Sequence, residues 1–175
     1  PLDDIRVRRA IAYAVNRQEV IEGAEFGFGE PIGTHFAPHH PAYLDLTGLY
    51  PFDPERARAL LAEAGHGDGI TLTLRLPPPT SPRRSGQIIA AQLADVGIRV
   101  EIENIEWATW LDTVYARKNY DLTVISHVEP MDIGIYADPG YYFQYDSQEF
   151  RDILAAANRA TEPEAQNAQW RAAQR

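Results

Sequence analysis

No cysteine occurs among the 175 residues, which excludes disulfides and thiolate metal sites and leaves redox compartment unmarked. Also missing are a run of about 18 apolar residues that would span a membrane and a charged, apolar, then small-residue leader at the start. A concentrated basic surface is lacking too: the formal net charge is −9, which argues against nucleic acid as a partner. The serines Ser81, Ser85 and Ser126 have no G-x-S-x-G elbow around them, so His127, Asp132 and Asp138 do not complete a recognisable hydrolytic triad. The stretch GFGEPIG precedes neither a capped helix nor a βαβ unit and matches no phosphate cradle, so no nucleotide and no other cofactor is expected. His35, His39 and His40 stand together, but Pro38 and Pro41 exclude the helix that would align His35 with His39, and no metal is expected there.

What is present suits a globular domain: 45% of residues are hydrophobic, enough for one core over residues 1–175. The chain opens at PLDD without Met and closes inside EPEAQNAQWRAAQR, a helix-favouring stretch with no Gly stop, so a piece of a longer protein is expected. DDIRVRRAIAYAVNRQEVI predicts a helix from about residue 4 to 15, capped by Asp3 or Asp4, and residues 23–43 break all periodicity as an irregular excursion. FDPERARALLAEAG carries every helix signal: Asp53 as cap, Pro54 at the first position, a stripe of Ala57, Leu60, Leu61 and Ala64, and Gly65 as stop. ITLTLRL then alternates with the period of a half-buried strand. SGQIIAAQLADVG reads as a helix with Ser85 as its cap, IRVEIEN as a second strand, EWATWLDTVYARKN as a helix and YDLTVIS as a third strand.

Strand, helix, strand, helix, strand with short connections predicts an α/β fold, a mostly parallel βαβαβ sheet flanked by helices. The loops PPPTSPRR, NIEWATW and SHVEPMDIGIY then share the carboxyl edge of the sheet, where open α/β folds bind ligands. The candidates there are Arg83 and Arg84 near a helix N-terminus, Trp107 or Trp110 (one of the pair being core), and His127, Glu129, Met131, Asp132 and Tyr136. In ADPGYYFQYDSQEF, Asp138, Pro139 and Gly140 form a turn, Asp146 or Ser147 caps a final helix, and half of the aromatics between them are expected to pack.

Two stretches carry a resemblance. DDIRVRRAIAYAVNRQEVI resembles the helix of the family 5 extracellular solute-binding proteins of ABC importers, receptors for oligopeptides, dipeptides and nickel, and YPFDPERARALLAEAG is similar to their tyrosine, Asp-Pro and helix signature. GIRVEIENIEWATWLD and NYDLTVIS follow the same pattern in order. The resemblance implies the second α/β lobe of a two-lobed periplasmic-binding-protein-like receptor, not an enzyme. Such a receptor captures a peptide-like or other small polar solute by closing against a first lobe, outside the inner membrane, and delivers it to permease subunits. Peptide-binding relatives place an amine-anchoring Asp four residues before the turn proline; here that position is Ile135, with Asp132 or Glu129 as a displaced carboxylate. A small α/β enzyme using His127 or Glu129, and a protein-interaction domain using exposed aromatics, are the competing classes. Turnover would mark the first and a solute-independent stable complex the second.

Overall fold

The computed structural model describes residues 1–127, 129 and 131–175. Val128 and Pro130, inside the expected ligand loop, lie outside the described residues. The chain forms two compact units, one of Pro1–Pro31 with Tyr50–Ser126 and one of Ile32–Leu49 with His127–Arg175.

The first unit holds the sheet. Strands β1 (Ile70–Leu76), β2 (Ile98–Asn104) and β3 (Leu122–Thr123) lie in the order β2-β1-β3, and both pairings are parallel, as the alternation predicts. On β1, Leu72, Leu74 and Leu76 are buried. Arg75 stands in register with Glu103 and binds it at 2.7 Å. Helices α1 (Ile5–Ala14) and α3 (Pro54–Glu63) bring Val7, Ala10, Ala14, Ala57, Leu60 and Leu61 into one core with Leu72, Leu93 and Ile98. The caps are those the sequence marks: Asp4 accepts from the N–H of Arg6, and Asp53 from that of Arg56. The Arg6 guanidinium beside Asp4 holds its carboxyl down at about 2.

Three boundaries differ from expectation. Helix α1 ends where expected, near residue 15, but a second helix, α2 (Arg17–Glu25), follows after Val15 and Asn16 where none was expected. Asn16 caps α2 by accepting from the N–H of Glu19, and Gln92, buried on the helix that follows β1, accepts the Asn16 N–H and donates to the Glu19 carboxylate. Helix α4 (Thr80–Asp95) begins five residues before Ser85, which is buried inside it instead of capping it. Pro82 falls in the first turn, where a missing N–H interrupts no helical bond. Strand β3 is only two residues long because side chains replace its ladder: Asp121 accepts from the N–H of Thr73, and Thr123 donates to the carbonyl of Arg75. The helix read over EWATWLDTVYARKN is α5 (Trp107–Trp110), continued as a π-helical stretch over Leu111–Ala116.

Gly69 enters β1 at φ +92°, and a Cβ there would lie 2.7 Å from the carbonyl oxygen of Gly97. That oxygen already accepts the N–H of Ile70. Gly69→Ala is therefore expected to lower stability by at least about 1 kcal/mol, read as a lower urea midpoint with unchanged slope. An unchanged midpoint would show that the backbone yields.

The second unit has no strand among its described residues. Helices α6 (Gln148–Arg159) and α7 (Pro163–Ala173) pair, and Ser147 caps α6. Residues 32–49 lie against them, tied by Gln174, whose side chain accepts the Phe36 N–H and donates to the Ala42 carbonyl, and by Arg171 on the carbonyl of Pro41. Phe36, Ala42, Ile133 and Phe150 form the core, with Tyr136, Leu154 and Trp170 around them. The excursion read as irregular thus supplies half a core.

Candidate functional site

A turn of 3₁₀ helix over Asp132–Ala137 projects Asp132 and Tyr136 toward the 32–49 segment. Asp132 meets two histidines, one from each of the two segments that make up its unit. His35 Nε2 lies 3.1 Å from Oδ1, and His127 Nδ1 lies 3.5 Å from Oδ2. Asp132 Oδ1 is buried with the His35 nitrogen against it. Burial pushes the His35 imidazole pKa down, against the opposing pull of Asp132. Burial, and then the Asp132 charge, pushes the Tyr136 phenol up.

Aromatic rings frame this group. His127 stacks on Tyr142 with centroids 6.2 Å apart, and its Nε2 lies 2.9 Å from the Tyr142 hydroxyl. Tyr136 stands edge-on to His35 at 5.6 Å and beside Phe143 at 5.5 Å. A cavity of about 360 Å³ opens among His35, His127, Glu129, Asp132, Tyr136 and Phe143, with Ile32, Ala37 and Ile135 as its apolar wall. A second, of about 490 Å³, lies on the other side of Tyr136 and Phe143, toward Tyr145 and Phe150. Of the predicted residues, His127, Glu129, Asp132 and Tyr136 come together here. Met131 is 53% exposed and lines neither cavity. Ile135 does face the smaller one, beside Asp132.

The remaining candidates lie in the first unit. Arg83 spans two strand ends, donating to the carbonyls of Pro77 at 3.1 Å and Ile105 at 3.5 Å, so the loops after β1 and β2 do meet. Arg84 covers the ring of Phe26 at 4.8 Å. Trp110 is the buried member of its pair, its indole N–H donating to Thr123, while Trp107 stands edge-on to it and is 43% exposed.

The pairing of His35 with Asp132 was not legible in advance, because it joins residues 97 positions apart, whereas Tyr142 and Phe143 reach His127 from the nearby aromatic run that was expected in part to pack. One exposed signal was available: His40 differs from His39 in having Ala42 two residues on, whose N–H it accepts at Nδ1. His40 also stacks on Phe36 at 4.0 Å, and burial, with the charge of His39 second, lowers its pKa. A lowered pKa favours the neutral ring in the folded state. Its contribution is therefore full above the ordinary histidine value near 6.5 and is lost as pH falls below it. His40→Asn, which keeps an acceptor for Ala42 but does not titrate, is expected to flatten the fall in unfolding temperature between about pH 7.5 and 5.5. Equal slopes for both proteins would remove His40 from that account.

The sequence profile of the "Bacterial extracellular solute-binding proteins, family 5 Middle" matches residues 1–157. The dipeptide-binding protein of Escherichia coli (strain K12) is 37% identical over 116 residues, which are 63% of this chain and 22% of that protein. The di/tripeptide-binding protein 2 of Pseudomonas aeruginosa (strain UCBPP-PA14) is 34% identical over 153 residues, 83% of this chain and 27% of that one. Among solved structures, the periplasmic binding protein DppA of Helicobacter pylori in complex with the peptide STSA superposes with a TM-score of 0.84 at 25% identity, over 98% of this chain and 36% of that one. The chain thus spans about a quarter of the length of these curated relatives. On the match over residues 1–157, the chain belongs to the bacterial extracellular solute-binding proteins of family 5.

Proposed function

We propose that these residues are part of the solute-capturing receptor of a bacterial ABC importer, acting outside the inner membrane and handing its solute to permease subunits. The observation that carries this reading is the family match over residues 1–157. The family is one of transport receptors, and no chemical conversion of the solute is proposed. Both units belong to one lobe, which closes on the solute against a first lobe that these residues do not include.

The solute is a peptide-like or other small polar molecule whose cationic end faces Asp132 and Glu129, while Tyr136, Phe143 and Ile135 cover its apolar part. Relatives named for dipeptides and di/tripeptides support that class. Within the first unit, Trp107, Arg84 and the outer edge of Arg83 are separate candidates for contact with a solute, Trp107 standing edge-on to the buried Trp110.

The test is thermal unfolding of the full-length chain carrying these residues, against dipeptides, opines, polyamines and sugars. A saturable rise with one class, lost in His127→Ala and Tyr136→Ala, supports the reading. No rise with any solute, together with turnover of one of them, would replace the receptor by an enzyme.

A further inference from the structure

We infer that His35 and His127 are positioning residues for Asp132: each ring, uncharged, donates one N–H to a different oxygen of that carboxylate, and the Tyr142 hydroxyl holds His127 in the tautomer this requires. The whole negative charge of Asp132 is then left for one ammonium group of a solute. That last step rests on the receptor reading; the proton positions do not.

His35 Nε2 lies 3.1 Å from Asp132 Oδ1 and His127 Nδ1 lies 3.5 Å from Oδ2, so one ring addresses each oxygen. An ionised carboxylate only accepts, and an imidazole nitrogen that turned a lone pair toward it would be repelled. The proton of His35 therefore belongs on Nε2 and that of His127 on Nδ1. With Nδ1 protonated, Nε2 of a neutral His127 is an acceptor, and its donor is the Tyr142 hydroxyl 2.9 Å away. Tyr142 is 2% exposed and its ring stacks on that of His127, which fixes the hydroxyl at that nitrogen. A free imidazole ring prefers its proton on Nε2, so His127 is held in the less common form, and Tyr142 is the partner that selects it.

Neutral rings matter because of what they leave behind. Burial disfavours the charged form of His35 more than Asp132 favours it. An imidazolium at either place would cancel the charge of Asp132 and close an ion pair with nothing to offer a cation. Two neutral donors instead hold the carboxylate in one orientation and preserve its charge. Asp132 and both rings line the 360 Å³ cavity together with Glu129, so the carboxylate lone pairs that the imidazoles do not use can meet N–H groups of a solute. The Tyr136 phenol, pushed up by burial and by Asp132, brings no charge of its own. A primary amine supplies both N–H groups and positive charge, whereas an acylated amine has lost the charge.

The experiment records long-range proton–nitrogen NMR spectra of the full-length chain carrying these residues, without solute, at about pH 8, where an ordinary imidazole is neutral. The His127 proton is expected on Nδ1 and the His35 proton on Nε2, with the exposed His39 as reference ring. In Tyr142→Phe, His127 is expected to turn back toward the Nε2–H form while His35 keeps its own. A proton on Nε2 alone of His127, or on both nitrogens of either ring, would overturn the arrangement. The second arm measures calorimetric binding of a dipeptide with a free amine and of its N-acetylated form, the latter expected to bind at least about tenfold more weakly. Asn places a side-chain N–H near the position of Nδ1, and Gln near that of Nε2. His127→Asn is therefore expected to bind the free amine at least about fivefold more tightly than His127→Gln, and His35→Gln at least about fivefold more tightly than His35→Asn. A merely structural role would not reverse the order between the two positions. Dipeptide capture with equal binding inside each pair of variants would overturn the positioning role and leave the receptor standing. The expected tautomers with no dipeptide bound would uphold the proton positions and overturn the peptide class of the receptor reading.

Discussion

Leu72→Ala is expected to lower the unfolding free energy by about 3 kcal/mol, with the loss confined to stability and the urea slope unchanged. Leu72 is 1% exposed at the centre of β1, the strand with neighbours on both sides. Its side chain belongs to the core that α1, α3, α4 and β2 all enter, through Ala10, Leu61, Leu93 and Ile98 among others. Truncation removes three carbon atoms from a place where four elements would have to move together to fill the gap, so little relaxation is expected and the cavity remains. Thr71 and Thr73, its neighbours on the strand, point the other way, and Thr71→Ala is the matched control with an expected change within about 0.5 kcal/mol. A loss below about 1 kcal/mol at Leu72 would show that the helices can collapse onto the strand.

That central position was readable because a period of two in ITLTLRL has one physical meaning: alternate residues face the core. The same holds for IRVEIEN, whose Ile98 is buried while Arg99, Glu101 and Glu103 are exposed. The Asp53 and Pro54 start of α3 was equally plain, since a cap and a fixed φ act within a few residues. Local chemistry is legible. Helix α2, which the reading of one helix ending near residue 15 passed over, had a local signal: Asn16 followed three residues later by Glu19. Ser85 misled for the opposite reason, because the capping side chain that a helix start commonly has is absent from α4, which opens after Pro79 with no side-chain cap.

The candidate site was legible only in part, and the division follows distance along the chain. His127, Glu129, Asp132 and Tyr136 lie within ten residues, and one crowded loop announced them. One of Trp107 and Trp110 was expected to be buried, but not which: three residues apart on a helix they are neighbours, and it is Trp110 that the structure buries. His35 was dismissed on the absence of a helix to align it with His39, yet its partner is Asp132, 97 positions further on, and no periodicity reports a contact of that kind. The GFGEPIGTHFAPHHPAY stretch was read as an excursion because Gly and Pro break local order; they do, but the backbone they free lies against α6 and α7 and delivers Phe36 and Ala42 to a core.

Phe36→Ala tests that delivery, and its expected effect is a loss of about 4 kcal/mol from the second unit. The ring is 1% exposed, lies 4.0 Å from the His40 ring in a stack, and stands edge-on to Trp170 at 5.8 Å and to His35 at 5.2 Å. Its removal opens a void bounded by aromatic rings, which hold fixed shapes and cannot flow inward as aliphatic chains do. The second unit has no sheet among its described residues to hold residues 32–49 once that anchor is gone; the Gln174 and Arg171 bonds to Phe36, Ala42 and Pro41 and the His35 contacts with Asp132 and Tyr136 are among the ties that remain. The indole N–H signals of the three tryptophans give the readout, because Trp170 alone lies in this unit. In Phe36→Ala the Trp170 signal is expected to move and to be lost at a lower urea concentration than in the parent. Since His35 rests edge-on against the lost ring, its own ring signal in NMR is expected to move as well, even at temperatures where the variant is folded. An unmoved His35 signal in a folded Phe36→Ala protein would mean that His35 is held by Asp132 and Tyr136 alone, and an unmoved Trp170 signal would mean that residues 32–49 do not depend on Phe36 for their place.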